Sequence, residues 1–342
     1  MSDNAIVVQG LSKRFGQVVA LAGIDFQVPA GTVFGLLGPN GAGKTTAIRI
    51  LTTILRPDGG HAEILGLDVV RDADQVRYRI GLAGQYAAVD PNLTGRENLR
   101  LTGRLAQLPG AAARARANEL LERFDLTGAG DRPVRTYSGG MRRRLDVAAA
   151  LVQRPPVVFL DEPTTGLDLH SRNSLWDMIR ELVAEGTTVL LTTQYLEEAD
   201  RLAQRIAVVD GGRVIANDTP AVLKGQLGST VIELGMGDGS RAGRAGELLA
   251  GILPGRPEQD GPTVRVTSDD GSRVLIDVLR LLDDRDLTPA TLAVREPSMD
   301  DVFLALTGHR AEGDGAAANG AAGNGAAGDG PPPASHERRG AP

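Results

Sequence analysis

Short apolar runs alternate with longer stretches of helical spacing through about residue 220. That pattern predicts an α/β architecture around a largely buried sheet. The runs Ala5–Val8, Val33–Leu37, Val157–Leu160, Thr188–Thr193 and Ile206–Val209 read as strands. From roughly Asp90 to Ala150 the chain is dominated by Ala, Leu and Arg, which predicts a helical subdomain between strands of the sheet. After a turn-rich junction near Gly225–Ser229, strand and helix patterns alternate again. Val264–Thr267 reads as a strand, and Val274, Leu275, Val278, Leu281 and Leu282 have helical spacing behind Ser272 as N-cap. This predicts a small α+β domain over about 229–308, closed by an amphipathic helix with Phe303, Leu304 and Leu306 in its core. Beyond about Arg310 the chain becomes Ala, Gly, Asn and Pro, too little apolar surface to offset ordering entropy, so 311–342 is expected to be a disordered tail.

The chain has 342 residues, room for two domains with separate cores. A net charge of −6 gives no support for a nucleic-acid partner. The absence of cysteine excludes a disulfide scaffold and thiol-ligated metals. Met1 to Gly10 lacks the charged start and long apolar core of a secretory signal, and no apolar stretch approaches the roughly 20 residues needed to cross a bilayer. The expectation is a soluble, cytosolic polypeptide that reaches a membrane only through a partner.

The chemistry concentrates in three places. Gly38-Pro39-Asn40-Gly41-Ala42-Gly43-Lys44-Thr45 fits the phosphate-cradling pattern G-x-x-x-x-G-K-[ST] and follows a predicted strand. Its backbone N–H groups would approach the phosphates of a nucleoside triphosphate, Lys44 would meet the β/γ oxygens, and Thr45 would offer a hydroxyl to Mg²⁺. A helix from Thr46 to Leu55 would point its N-terminus at the anion. Lysine occurs only at Lys13, Lys44 and Lys224 in a chain otherwise made basic by arginine, and at Lys44 a compact ammonium suits a phosphate better than a planar fork. The apolar run Val157-Val158-Phe159-Leu160 ends in Asp161 and Glu162, the first suited to hold Mg²⁺ and the second to act as general base on water. The fold class is therefore α/β of the phosphate-loop nucleoside-triphosphatase type.

The third place is Tyr137-Ser138-Gly139-Gly140-Met141, ahead of a helical run from Arg142 to Val152. It resembles the signature motif of the ATP-binding cassette (ABC) family, usually Leu-Ser-Gly-Gly-Gln. The resemblance covers roughly 5–220, and the cassette would extend over 5–225 with the helical subdomain at about 90–150. It implies two cassettes packed head to tail, each ATP lying between one chain's phosphate loop and the other's Ser138, Gly139 and Gly140. With one copy of each motif, this chain needs a second cassette, most simply another copy of itself. Further positions are implied residue by residue: Gln85 touching Mg²⁺ and the attacking water, Phe15 stacking on adenine, and Asp168 in a loop crossing the interface. Where the wider family has a histidine at the γ-phosphate, this chain has Gln194, which can donate from its amide but cannot become cationic. Slow but real hydrolysis with Glu162 as main base is the expectation.

A closer resemblance, to the daunorubicin/doxorubicin-resistance ATPases, rests on Thr192-Thr193-Gln194-Tyr195-Leu196-Glu197-Glu198-Ala199-Asp200, on Tyr137 to Arg144, and on Pro297-Ser298-Met299-Asp300-Asp301-Val302-Phe303 and the residues after it. In that group Gln at position 194 is ordinary. It implies an energy-coupling subunit peripheral to the cytoplasmic side of the membrane, with a separately encoded permease contacted near Tyr86 to Glu97. Two other readings remain at this point: a soluble cassette protein acting on ribosomes or DNA, and a regulator that binds ATP without useful turnover.

Overall fold

A computed structural model describes residues 4–85, 88–228, 230–251 and 257–307. The Ser272 side chain, Ser229, Tyr86 and the tail expected from 311 lie outside the described residues. Two sheets form the first part of the chain. Strands β1 (Asn4–Phe15) and β2 (Val18–Pro29) make a long antiparallel hairpin, extended by β4 (Gly59–Ile64) and the short β5 (Leu67–Asp68) in the order β2-β1-β4-β5. The expected strand Ala5–Val8 is thus only the first third of β1.

The second sheet runs β10-β9-β3-β8-β7-β6. Its strands are β3 (Val33–Leu37), β6 (Ile80–Ala83), β7 (Val157–Asp161), β8 (Thr188–Thr193), β9 (Arg205–Asp210) and β10 (Arg213–Asp218), parallel except for the β9–β10 pair. Every residue of β3, β7 and β8 is buried. Covered faces explain why these strands read as unbroken apolar runs and not as alternation. On one side, Phe34, Leu36, Phe159 and Leu190 pack with the antiparallel sheet and with α1 (Lys44–Leu51) and α2 (Ala73–Arg79). Leu37, Val158, Leu160 and Leu191 face the other way, toward the helices that follow.

Those helices include α3 (Gly95–Leu105), α4 (Gly110–Arg123) and α5 (Gly139–Ala150), within the stretch expected to be helical. The start of α3 is set by a reciprocal cap: Thr94 Oγ1 accepts from the Glu97 amide at 3.1 Å, and Glu97 Oε2 accepts from the Thr94 amide at 2.8 Å. Next come α6 (Leu169–Ala184), α7 (Leu196–Leu202) and α8 (Pro220–Gly225).

A third sheet, β12-β13-β11-β14, is antiparallel and built from β11 (Thr230–Gly235), β12 (Glu258–Asp260), β13 (Thr263–Ser268) and β14 (Thr291–Arg295). Helices α9 (Gly239–Ala250) and α10 (Gly271–Asp283) cover it, burying Ile232, Leu234, Val264 and Val266 beneath Ala245, Leu249, Val278 and Leu282.

The last helix, α11 (Met299–Thr307), corrects an expectation. Its buried residues Met299, Val302 and Phe303 belong to the core of the first part of the chain, where Leu196, Ala199 and Leu202 of α7 and Leu223 of α8 also lie. Leu304 is half-buried and Leu306 is 39% exposed, so neither serves as core of the third sheet. Helical spacing marks the apolar stripe but not the surface it meets. Met299, Val302, Phe303 and Leu306 share one helical face by period, but the covering surface reaches only the first three and leaves Leu306, in the last turn, 39% exposed. An ion-pair cluster ties α11 back to the third sheet: Arg295 donates to Asp301 at 2.6 and 2.9 Å and to Glu233 at 2.8 Å, and Arg265 donates to the same Glu233 oxygen at 2.8 Å.

Candidate nucleotide-binding site

The carboxyl ends of four neighbouring parallel strands deliver the predicted chemistry to one edge. Leu37 of β3 leads into Gly38, Ala83 of β6 precedes Gln85 by two residues, Asp161 ends β7 before Glu162, and Thr193 of β8 precedes Gln194. Open α/β sheets bind ligands at this edge because loops there can vary while the strands hold them in place.

The phosphate loop needs glycine for reasons of space. A Cβ on Gly38 would sit 2.2 Å from the Val209 carbonyl oxygen, and one on Gly43, at φ +107°, would sit 2.4 Å from the Ala20 carbonyl oxygen. The loop is thus wedged between β9 and β2. Pro39 is half-buried, Asn40 and Gly41 are exposed, and Ala42 is buried. Helix α1 begins at Lys44, two residues before the expected start, with Gly43 in the N-cap position and Thr45 and Thr46 in its first turn.

Lys44 is only 4% exposed, and its Nζ donates to the carbonyls of Gly38 at 2.7 Å and Pro39 at 3.0 Å. Burial lowers its pKa from the ordinary lysine value, while the charges of Glu162 and Asp161 oppose that shift. Thr45 Oγ1 donates to Asp161 Oδ1 at 3.3 Å, although 116 residues separate them in sequence. Thr192 donates to the same oxygen at 2.6 Å. A hydroxyl and a carboxylate held together are hard oxygen donors of the kind Mg²⁺ accepts beside nucleotide phosphates, so this pair fits the ion.

Glu162 has a left-handed backbone, φ +48°, and its N–H is bonded to both the carbonyl and the hydroxyl of Thr192 at 3.1 Å. Its Oε2 accepts from Thr165 Oγ1 at 3.3 Å. Thr192 therefore organises both acids, a role the sequence reading missed. Its signal was the Thr-Thr pair closing the strand before Gln194. Gln85 is exposed and Gln194 half-buried at this same edge.

Other predicted residues stand elsewhere on the chain. Ser138 caps α5, accepting from the Met141 amide at 3.2 Å, and Ser138 and Gly139 are exposed. Gly140 is pressed toward α6, since a Cβ there would lie 2.5 Å from Ser171 Oγ. Asp168 caps α6 through the Ser171 amide at 2.8 Å, and that bond and others lower its pKa. Phe15 is 50% exposed, with Lys13 Nζ 5.8 Å from its ring centre, so it is not a core residue. It closes the hairpin whose Ala20 carbonyl lies over Gly43.

A second missed residue is Arg143 on α5. It donates to the carbonyls of Gly84 at 2.5 Å, Asp161 at 2.9 Å and Pro163 at 2.8 Å, and pairs with Asp146 at 3.2 Å. In sequence it is one arginine within a run of three.

A glycine-wedged loop, a buried lysine and a hydroxyl–carboxylate pair at a parallel sheet's edge define a phosphate-loop nucleotide-binding protein. Comparison with known proteins is consistent with that class. The ABC transporter family profile matches residues 21–165. A daunorubicin resistance ATP-binding protein of Streptomyces coeruleorubidus is 55% identical over 314 residues, 91% of this chain and 98% of that one. The daunorubicin/doxorubicin resistance ATP-binding protein of Streptomyces peucetius is 52% identical over 90% of this chain and 94% of its own length. A solved dimeric ATP-binding cassette, in a post-hydrolysis state bound to ADP and Pi, superposes with a TM-score of 0.58 at 25% identity, covering 63% of this chain and 98% of that one. The chain belongs to the ABC transporter family, among its daunorubicin/doxorubicin-resistance ATP-binding proteins. Among the described residues no helix is long and apolar enough to cross a membrane.

Proposed function

We propose that this chain is the ATP-hydrolysing subunit of a drug exporter. It works as a homodimer on the cytoplasmic face of the membrane, driving a separately encoded permease that moves an antibiotic-like hydrophobic compound. The observation that carries the reading is 55% identity to a daunorubicin resistance protein over 91% of the chain, a span that reaches well beyond the cassette into the third sheet. The dimeric state of the solved cassette with ADP and Pi supports the paired arrangement.

In this reading the backbone of residues 38–46 and Lys44 hold the phosphates, and Phe15 stacks on the adenine. Thr45 and Asp161 would hold Mg²⁺, with Gln85 beside them; when bound, the ion neutralises charge on the phosphates. Glu162 takes a proton from water as the water oxygen bonds to the γ-phosphorus and the bond to the bridging oxygen breaks, leaving ADP and phosphate. Gln85 orients that water, and Gln194 donates an amide hydrogen to the γ-phosphate. Ser138, Gly139 and Gly140 complete the site of the other copy, where the head of α5 supplies N–H donors, and Asp168 lies along the interface between the two copies.

The test pairs two measurements. Glu162→Gln in the purified chain should retain ATP binding and lose about a hundredfold or more in turnover, the scale of removing a general base. Undiminished turnover would refute the assignment. Pull-down from detergent-solubilised native membranes should bring a polytopic permease in stoichiometric amount. Recovery of ribosomal or DNA-repair proteins, with the chain absent from membranes, would refute the exporter reading.

A further inference from the structure

Arg143 lies on the helix whose N-cap is Ser138, yet every hydrogen bond described above points back into its own chain's nucleotide site. Its side chain is 10% exposed. The carbonyls of Asp161 and Pro163, which it holds at 2.9 and 2.8 Å, flank Glu162 on both sides. Gly84, held at 2.5 Å, immediately precedes Gln85. Its ion-pair partner Asp146 is 1% exposed and accepts from the Ala88 amide at 2.7 Å, so the pair grips the segment around Gln85 at Gly84 and again at Ala88. A guanidinium presents several donors in a rigid plane, and only such a group can satisfy three carbonyls and a carboxylate at once.

Building on the homodimer proposed above, we infer that Arg143 is a positioning residue for the ATP site of its own chain. Helix α5 then has two clients: its exposed head, Ser138, serves the partner's nucleotide, while Arg143 holds Gln85 and Glu162 at the nucleotide bound to its own phosphate loop.

The experiment uses the full chain and MgATP. Arg143→Gln should bind ATP within about threefold of wild type and still dimerise on ATP, because Lys44 and Ser138 are untouched, while kcat falls on the order of tenfold to a hundredfold, the cost of misplacing a reacting group by about 1 Å. Arg143→Lys keeps the charge opposite Asp146 but cannot span the three carbonyls, so its kcat should lie between those values. Ser138→Ala spoils the partner's site instead. In mixtures of Arg143→Gln with Ser138→Ala chains, each heterodimer therefore contains one sound site and one doubly damaged site. Turnover should rise above either variant alone, toward the level set by wild type mixed with Ser138→Ala.

Unchanged kcat in Arg143→Gln would overturn the inference. So would loss of ATP-dependent dimerisation together with turnover and without recovery on mixing, since that is the pattern of a residue acting through the signature motif on the partner's site. Dimerisation alone decides the matter if one-site dimers are silent. A wild-type chain that stays monomeric with ATP would remove the homodimer reading and this inference with it. A wild type that dimerises while the variants behave in either overturning way removes the inference alone.

Discussion

The docking of α11 on the first part of the chain can be tested by a pair of truncations with opposite expectations. Phe303 is 2% exposed in the shared core, whereas Leu306, one turn on, is 39% exposed. Deleting a buried phenyl ring removes its transfer free energy and leaves a cavity, together about 3–5 kcal/mol. Leu306→Ala forfeits only a partly covered side chain, about 1 kcal/mol or less. Since 1 kcal/mol moves the midpoint of a domain of this size by about 2–4 °C, Phe303→Ala should lower Tm by about 6–20 °C and Leu306→Ala by about 4 °C at most. Part of the Phe303 loss should appear as undocking of α11, the last described element, seen as faster amide exchange over residues 299–307 before global unfolding. Thermal melts combined with hydrogen exchange read both quantities. Equal effects of the two substitutions would refute the assignment of Phe303, and not Leu306, to the shared core.

Three further outcomes follow from the structure. Gly38→Ala and Gly43→Ala each place a methyl within 2.2 and 2.4 Å of a carbonyl oxygen, so both should abolish nucleotide binding in a fluorescent ATP-analogue titration. Retention of wild-type affinity by either would show that the loop yields where the backbone predicts it cannot. At Asp301, burial favours the neutral acid, but hydrogen bonds from Arg295 and Ser298 outweigh it and hold the pKa at about 2 against an ordinary 3.8. A depressed acid stabilises the fold fully above its unfolded pKa, so about 2 kcal/mol should vanish as pH falls from about 4 to 2. Asp301→Asn should be less stable at neutral pH and show a flatter acid limb over that interval in pH-dependent denaturation; an unchanged limb would contradict the pairing. Thr192→Val, which removes the hydroxyl shared by Asp161 and Glu162, should lower ATPase kcat by about tenfold, about 1.4 kcal/mol, with little change in Tm; a loss of stability without a loss of kcat would assign Thr192 to the core alone.

Much of the site was legible because its parts are local. Gly38 to Thr45 is one contiguous loop whose glycines are demanded by nearby backbone, and the run ending in Asp161 and Glu162 announces a buried strand meeting an edge. The antiparallel sheet was less legible. Of β1 only Ala5–Val8 was read, and β2 was missed, because bulges break the alternation between Val8 and Leu11 and leave Val18 and Val19 exposed at the turn. Arg143 gave no sign of its role, since an arginine within a basic run on a helix reads as a solvated face until its carbonyl partners are known.

From the sequence alone came the inventory of groups that could do phosphate chemistry, and, by period, most of the strands and helices that carry them. That follows from near-neighbour physics: loop conformations and amphipathic stripes depend on residues a few positions apart. Tertiary structure decided which distant groups meet. It brought Thr45 to Asp161 across 116 positions, set Thr192 beneath both acids, turned Arg143 into its own chain's site, and seated Phe303 against α7 and α8 and not under the third sheet. A stripe of apolar residues states that a face must be covered, but the covering surface is chosen by the competition among all buried faces of the folded chain.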